Sequence, residues 1–321
     1  MTLAVVIIGR NEGARLVRGL ASVAEADRII YVDSGSTDGS QEAARAAGAA
    51  VVTLDMSQPF TAARARNAGL ERLRESGARP ELVQFMDGDC ELQPGWLASA
   101  RAYLDDHPKV GVVFGRRRER FPEATLYNRL CDWEWDVPLG ERRACGGDAL
   151  MRMDALDAVG GYNPALIAGE EPEMCVRLRA AGWQIWRIEA EMTLHDAAMT
   201  RLGQFWARAR RAGHAWAEGA ALHGAPPERH CVDQVRRALL WGAGVPMAIL
   251  ALALVAGPWA LALFAVYPLR TLRLGLRDGA SRAAWERAWL LSLGKFAEAA
   301  GVIEYHLRRA MGRPRGLIEY K

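Results

Sequence analysis

The chain opens on an unbroken apolar run, Leu3 to Ile8. A polar turn follows, and then Ala14 to Ala24 carries its apolar residues at helical spacing. A continuous β-branched run marks a strand buried on both faces of a parallel sheet. The alternation repeats. Arg28 to Val32 predicts a second strand, Gln41 to Ala46 a helix, Ala49 to Leu54 a strand and Phe60 to Leu73 a helix. Leu82 to Met86 is an apolar run ending at Asp87. Leu92 to Leu104 predicts a helix with Pro94 near its first turn, and Val110 to Gly115 a further strand. Strands alternating with helices predict an α/β fold, a doubly wound and mostly parallel central sheet flanked by helices.

Punctuation sharpens some boundaries. Asp38 fits an N-cap, with Gln41 three residues on completing a capping box. Arg116 to Asp136 is less regular, and Cys145 to Met151 reads as a small-residue turn entering a short strand. Met153 to Val159 predicts a helix closed by Gly160-Gly161-Tyr162. Pro172 fits a first helical position, which puts Glu171 at the N-cap of a helix running to Ala181 and stopped by Gly182. Gln184 to Ile188 predicts a last core strand, and the chain then passes through Glu191 to Asp196.

The last third changes character. Ala238 to Leu269 contains no charged residue, arginines flank it on both sides, and Gly257-Pro258 interrupts it. The run exceeds the roughly 20 residues of one bilayer span. Arginine at both ends predicts a hairpin, about 238–269, whose two ends stay on the cytoplasmic side. Residues 283–310 predict an amphipathic helix with Trp285 and Trp289 one turn apart, suited to a membrane surface. A soluble helical subdomain is the alternative. The expected division is therefore 1–225, a catalytic α/β domain, and 226–321, a helical membrane-associated region.

Composition adds limits. Half of the 321 residues are hydrophobic and the net charge is +3, which gives no reason to expect nucleic acid. Five cysteines, scattered and without CxxC spacing, read as reduced thiols of a cytosolic compartment. The first nine residues read as a strand and not a signal peptide. No GxGxxG follows the first strand, against a standard dinucleotide fold.

The candidate chemistry sits where strands end. Asp87-Gly88-Asp89 places two carboxylates at a strand's carboxyl end, the edge at which open α/β sheets bind ligands. Hard cations take such oxygens together with substrate phosphates, and a polar turn accounts for the same residues. Asp33, ending another strand, suits a nucleotide's base or ribose. Arg66 offers a guanidinium fork to phosphate. Glu170 and Glu171 at a helix start suit a general base, and helix-start charge explains them too. His195 fits either a third metal ligand or a structural histidine. Trp133 and Trp135 are suited to stack on a sugar, or to be buried.

In this order and spacing, Asp33-Ser34-Gly35-Ser36-Thr37-Asp38-Gly39-Ser40, Arg66-Asn67-Ala68-Gly69, Asp87-Gly88-Asp89, Gly160-Gly161-Tyr162 and the Gly169-Glu170-Glu171 helix start resemble the GT-A glycosyltransferases of family 2, over roughly residues 3–215. The resemblance implies inverting transfer of a sugar from a nucleotide-diphosphate donor. It assigns donor binding to Asn11, Glu12, Asp33, Ser36, Arg66, Asn67, Asp87 and Gly88. It assigns a divalent metal, Mn²⁺ or Mg²⁺, to Asp87, Asp89 and His195. The acceptor falls to Trp133, Trp135, Gly146, Gly147 and Asp148. Glu171 aligns with the family's base, which is usually aspartate, so Glu170 stays a competitor. Gln204-Phe205-Trp206 matches the processive signature only in part. With the apolar tail, the implied setting is the cytoplasmic face of the inner membrane, with a lipid-linked acceptor, in polysaccharide or glycolipid synthesis. A degenerate nucleotide-sugar-binding or scaffold protein is the alternative. A nucleotidyltransferase is a third reading, weakened by the poor glycine-rich loop at Gly9 to Gly13.

Overall fold

Leu3–Gly9 forms β1, and its residues from Leu3 to Ile8 are buried, as a strand at the centre of a parallel sheet requires. The computed structural model describes residues 1–312 apart from positions 76 and 78, so positions 313–321 of the expected tail lie outside the described residues. The chain forms two units. One comprises Met1–Phe121 and Cys131–Ala197, the other Pro122–Leu130 and the chain from Ala198 onward.

In the first unit β1 is followed by α1 (Ala14–Ser22), β2 (Arg28–Asp33), α2 (Ser40–Ala46), β3 (Ala50–Thr53), α3 (Ala62–Glu75), β4 (Leu82–Asp87), β5 (Cys90–Leu92) and α4 (Trp96–Asp106). Then come β6 (Val110–Glu119), α5 (Leu126–Glu134), whose first residues belong to the second unit, β7 (Gly140–Glu141), β8 (Ala149–Arg152), α6 (Met153–Val159), α7 (Glu170–Ala180) and β9 (Gln184–His195). The sheet runs β3-β2-β1-β4-β8-β6-β9-β5, with β7 against β9. β1 to β4 pair in parallel, as the alternation predicts. Beyond them the sheet is mixed: β8 is antiparallel to both β4 and β6, while β6 and β9 are parallel.

This topology gathers chemistry at one edge. Register sets Asp33 beside Gly9 and Asp87 beside Ile8, so three strands end together. Because β8 runs the other way, the turn before it, Gly146-Gly147-Asp148, arrives at the same edge. The carboxyl ends of β6 and β9 reach it too. α3 lies close on β1, since a Cβ at Gly69 would collide with Val6.

Several local expectations shift. β9 is one 12-residue strand where the sequence suggests two pieces. The N-cap of α2 is Gly39 in the left-handed region, not Asp38, and no capping box forms. Asp38 Oδ1 instead accepts from Ser40 N and Oγ, and the Gln41 amide donates to Asp33 Oδ2. Likewise α7 starts at Glu170 after a left-handed Gly169, so Glu171 lies inside the first turn and not at the N-cap.

The second unit is helical. α8 (Leu202–His223) packs along the 29-residue helix Arg282–Ala310, and a Cβ at Gly213 or Gly301 would strike the facing backbone. The helix expected to lie on a membrane surface is thus packed on protein. Ala288, Gly294, Ala297 and Gly301 are buried along it, while Trp289 stays 47% exposed. Val232–Ala256 is a 25-residue helix of mean hydropathy 2.2 in its most apolar window, with 11% of that window buried. It is the one helix among the described residues long and apolar enough to cross a membrane. Gly257, at φ 105°, ends it, and the chain returns through a 3₁₀ stretch, Pro258–Ala265, and the helix Val266–Arg277.

Candidate active site

Asp33, at the end of β2, is fully buried. Its Oδ2 accepts from Gly35 N, Ser36 N and Gln41 Nε2 at 3.1, 3.0 and 2.8 Å, and its Oδ1 from Tyr31 Oη at 3.2 Å. Burial pushes this carboxyl up, but the bonds from Ser36, Gln41 and Gly35 prevail and hold it below the usual range. Asp33 therefore fixes the β2–α2 loop as an anion. Asn11, in the left-handed region at φ 57°, accepts from Thr37 N through Oδ1 and donates its own N–H to Ser36 Oγ. These two bonds tie the β1–α1 loop to the β2–α2 loop. Glu12 pairs with Arg15 at 2.8 Å and lies over the Asp87-Gly88 turn. A Cβ on Gly88 would stand 2.9 Å from Glu12 Cγ and 3.2 Å from the Ile8 carbonyl oxygen, so the glycine is needed before any ligand arrives.

Arg66 is the hub. It is 2% exposed, and its Nη1 lies 2.7 Å from Glu170 Oε1 and 3.2 Å from Glu171 Oε1. Its Nη2 donates to Asp87 Oδ1 at 2.9 Å, and Tyr162 lies under the guanidinium at 5.5 Å. Three carboxylates thus share one buried cation. Gly147 passes at their centre: a Cβ there would be 2.8 Å from Arg66 Nη2, 3.1 Å from Glu171 Oε1 and 3.2 Å from Asp87 Oδ2. The glutamates are not equivalent. The Glu170 side chain is 6% exposed and Glu171 16%. Burial, then the charge of Glu170, raise Glu171 to about 7 against the pull of Arg66. Asn67, expected to bind donor, is engaged elsewhere. Its Oδ1 accepts from Tyr162 N and its Nδ2 donates to Tyr162 O, at 2.9 and 2.7 Å. It clamps the Gly161-Tyr162 loop.

The second aspartate faces elsewhere. Asp89, 4% exposed, has its Oδ1 at 3.4 Å from His195 Nε2 and at 3.7 Å from Cys90 Sγ. Asp87, expected to share a cation with Asp89, is instead held by Arg66 and by Arg117, whose Nη2 is 3.4 Å from Asp87 Oδ2. Among the described residues, the carboxylate, thiol and imidazole groups close enough to share an ion are Asp89, Cys90 and His195, and separately Asp87, Cys90 and Asp148. His195 is held below its usual pKa, first by burial and then by Arg117, so it is neutral. Asp148, expected at the acceptor, is fully buried. It accepts from Asp87 N and from Thr193 Oγ1, which makes it a brace for the β4 turn. The rings of Trp135 and His195 meet in a T-shaped contact at 4.7 Å, and the Arg117 guanidinium lies over the Trp135 ring at 4.7 Å. Trp133 is 43% exposed, and the exposed Gly146 has open space where a Cβ would go.

Arg117, Glu119 and Cys90 belong to this site without having been singled out from the sequence, and Tyr162, read there only as part of a motif, joins them. In the sequence Arg117 is the middle one of three consecutive arginines, Arg116 to Arg118. Register irregularities between Phe114 and Arg117 break the alternation of β6, and a bulge re-aims a side chain. Arg117 turns toward Asp87 and Asp148, while Arg118 pairs outward with Glu191 at 2.6 Å.

Comparison with known proteins agrees with this geometry. Residues 4–158 match the model of the family described as Glycosyl transferase family 2. The succinoglycan biosynthesis protein ExoA of Rhizobium meliloti is 25% identical over 191 residues, 56% of this chain and 57% of that one. The glycosyltransferase AglE of Haloferax volcanii is 26% identical over 165 residues, 49% and 52% of the two chains. The chain thus spans about half the length of the curated relatives it matches. In fold, it is similar to the mannosyltransferase PcManGT from Pyrobaculum calidifontis, solved in complex with GDP-Man and Mn²⁺. The TM-score is 0.64 at 21% identity, over 95% of this chain and 86% of that one. The family match runs from β1 through the Asp87-Gly88-Asp89 turn to α6, just under half of the chain, and over that stretch the chain is similar to the family 2 glycosyltransferases, with the GT-A fold.

Proposed function

We propose that this protein transfers a sugar, with inversion, from a nucleotide-diphosphate sugar to an acceptor hydroxyl in the synthesis of a cell-surface polysaccharide or glycolipid. The observation that carries this reading is Glu171. It stands at the edge where β1, β2 and β4 end, within 3.2 Å of the arginine that also holds Asp87, and it titrates at about 7. A base works best when its pKa lies near the operating pH. The acceptor hydroxyl gives its proton to Glu171 as its oxygen attacks the anomeric carbon opposite the departing diphosphate. Glu170, more deeply buried against Arg66, holds that guanidinium in place. Arg66 and Arg117 both reach Asp87 and can answer charge on phosphate oxygens. The loops tied by Asn11, Ser36 and Asp33 form the nucleoside side.

The donor set fits a divalent cation. Asp89 supplies a carboxylate and His195 a neutral imidazole. A bound ion would neutralise charge on the leaving diphosphate. PcManGT was solved with Mn²⁺, and Mn²⁺ or Mg²⁺ is the ion proposed for this chain.

The apolar helix Val232–Ala256 supports a membrane setting on the cytoplasmic face, with a lipid-linked acceptor. Leu254 and Val255 are each 89% exposed and Trp259 66%, a patch that water does not favour. The test is transfer by the purified chain from a panel of nucleotide sugars to acceptors in vesicles, with the product's anomeric configuration read by NMR. Inversion and a preference for vesicle-borne acceptor are expected. Retention contradicts the mechanism, and equal rates on delipidated acceptor contradict the lipid link.

A further inference from the structure

We infer that Arg270, lying over Trp241 at the base of the apolar hairpin, is a binding site for the phosphate of an anionic bilayer lipid. This rests on the membrane setting proposed above and specifies the headgroup chemistry that holds the chain there. The Arg270 guanidinium carbon is 4.9 Å from the centre of the Trp241 ring, a cation–π contact. Its Nη1 is buried without a hydrogen-bond partner, and among the described residues no carboxylate forms an ion pair with it. Glu298, the acid whose charge reaches Arg270, is held by Lys295 at 2.5 Å. A buried donor normally finds an acceptor, and a guanidinium fork matches the oxygens of a phosphate. The residue is only partly buried, so a ligand can reach it from outside.

The backbone beneath Arg270 is specialised. Leu240–Gly244 is a π-helical turn within the helix Val232–Ala256, and such turns recur at functional sites. Gly242 brings this turn against the helix Arg282–Ala310: a Cβ there would be 2.0 Å from the Lys295 carbonyl oxygen and 2.5 Å from Ala299 Cβ. The Trp241 carbonyl accepts from Tyr267 Oη at 2.5 Å, and the Tyr267 ring lies 6.3 Å from that of Trp241 and 5.2 Å from that of Phe296. Trp241 is thus fixed between two other helices, and Arg270 stands one turn beyond Tyr267. Depth gives a second argument. From Trp241 to Leu254 the helix runs about 20 Å at about 1.5 Å per residue. Half of a bilayer with its headgroups is about 20–22 Å thick. Where Leu254 and Val255, each 89% exposed, reach the bilayer centre, Arg270 lies at headgroup depth, the level that Trp and Tyr favour. Arg236, Arg237 and Arg273 are exposed on the same hairpin ends, and their field favours an anionic leaflet.

The test is native mass spectrometry of the full chain in detergent micelles, titrated with phosphatidylglycerol or phosphatidylcholine, for wild type, Arg270→Gln and Arg273→Gln. Flotation with phosphatidylcholine vesicles, with and without phosphatidylglycerol, runs beside it. Wild type should retain phosphatidylglycerol in preference to phosphatidylcholine. Arg270→Gln should weaken that retention about 10-fold, the worth of one charge-assisted contact, and Arg273→Gln should keep it. Should Arg270→Gln not fold, Arg270→Lys decides, since it keeps the charge and loses the fork: weakened retention supports the inference and unchanged retention overturns it. Retention by Arg270→Gln equal to wild type, or an equal loss in Arg273→Gln, overturns the specific site while flotation of wild type leaves the membrane setting in place. Displacement of the lipid by inorganic phosphate assigns the site to a free phosphate and overturns the lipid. If wild type floats with neither vesicle, the inference falls together with the membrane setting.

Discussion

The guanidinium of Arg66 stands 3.2 Å from Glu171, and Glu171 nevertheless titrates at about 7. An isolated arginine at that range would lower a carboxylic acid. Here the same guanidinium already serves Glu170 and Asp87, and the site is buried, so the ionised form of Glu171 is the disfavoured one. A carboxylate that is costly to ionise and held at a strand edge is what a base for alcohol activation needs.

This has a consequence for stability. The pKa of Glu171 is raised in the folded chain from 4.5 to about 7, so between those values the native state binds more protons than the unfolded state. The contribution of this group to stability is complete below about pH 4.5 and declines as pH rises through 7. Glu171→Gln removes the decline. Melting curves across that range should show the variant gaining on wild type as pH rises. A constant difference would contradict the assigned titration.

Gly147→Ala puts a methyl group 2.8 Å from Arg66 Nη2, and the buried guanidinium has little room to move. We expect kcat/KM to fall about 100-fold through misplacement of Glu171 and Asp87, with a stability cost of about 1–3 kcal/mol. Steady-state kinetics beside a denaturant melt separates the two effects. Unchanged kinetics would show that the loop is not at the reacting centre.

Asn67→Ala leaves the Tyr162 N–H and C=O without their partner. The expected loss is about 1–3 kcal/mol of stability, with donor KM nearly unchanged in the folded fraction. A large rise in donor KM at unchanged stability would return Asn67 to the nucleotide site.

Leu254→Asp together with Val255→Asp should reduce co-sedimentation with anionic vesicles and slow transfer to vesicle-borne acceptor, while leaving the melting temperature nearly unchanged. Both side chains are 89% exposed and support no packing. Equal sedimentation of variant and wild type would remove the membrane from the account.

The sheet was legible because burial on both faces leaves an unambiguous signal. β2 and β4 read as strand-like apolar runs, and their ends marked Asp33 and Asp87 through the ordinary logic of α/β edges. Helix starts were less legible, because Gln41 and Glu171 have uses that override local capping. Gln41 reaches Asp33, and α7 begins on a left-handed glycine. Tertiary register was not legible at all. A bulge decides that Arg117 points inward and Arg118 outward. Asn67 sits beside Arg66 in sequence, but its side chain clamps the backbone of Tyr162 while Arg66 faces the carboxylates. The helix Arg282–Ala310 has the pattern of a surface helix, but its small residues admit α8, while Trp289, Ile303 and Leu307 stay exposed.

The most direct measurement is single-turnover transfer by Glu171→Gln and Glu170→Gln across pH, with donor binding followed in parallel. The account predicts that wild-type rate rises through about pH 7, and that Glu171→Gln binds donor but transfers about 10²- to 10⁴-fold more slowly without that rise. Glu170→Gln should keep a rise with pH but move it below 7, because the charge that helps to raise Glu171 is gone, while losing stability. Retention of the rise in Glu171→Gln, or its loss only in Glu170→Gln, would contradict the assignment of Glu171 as the base.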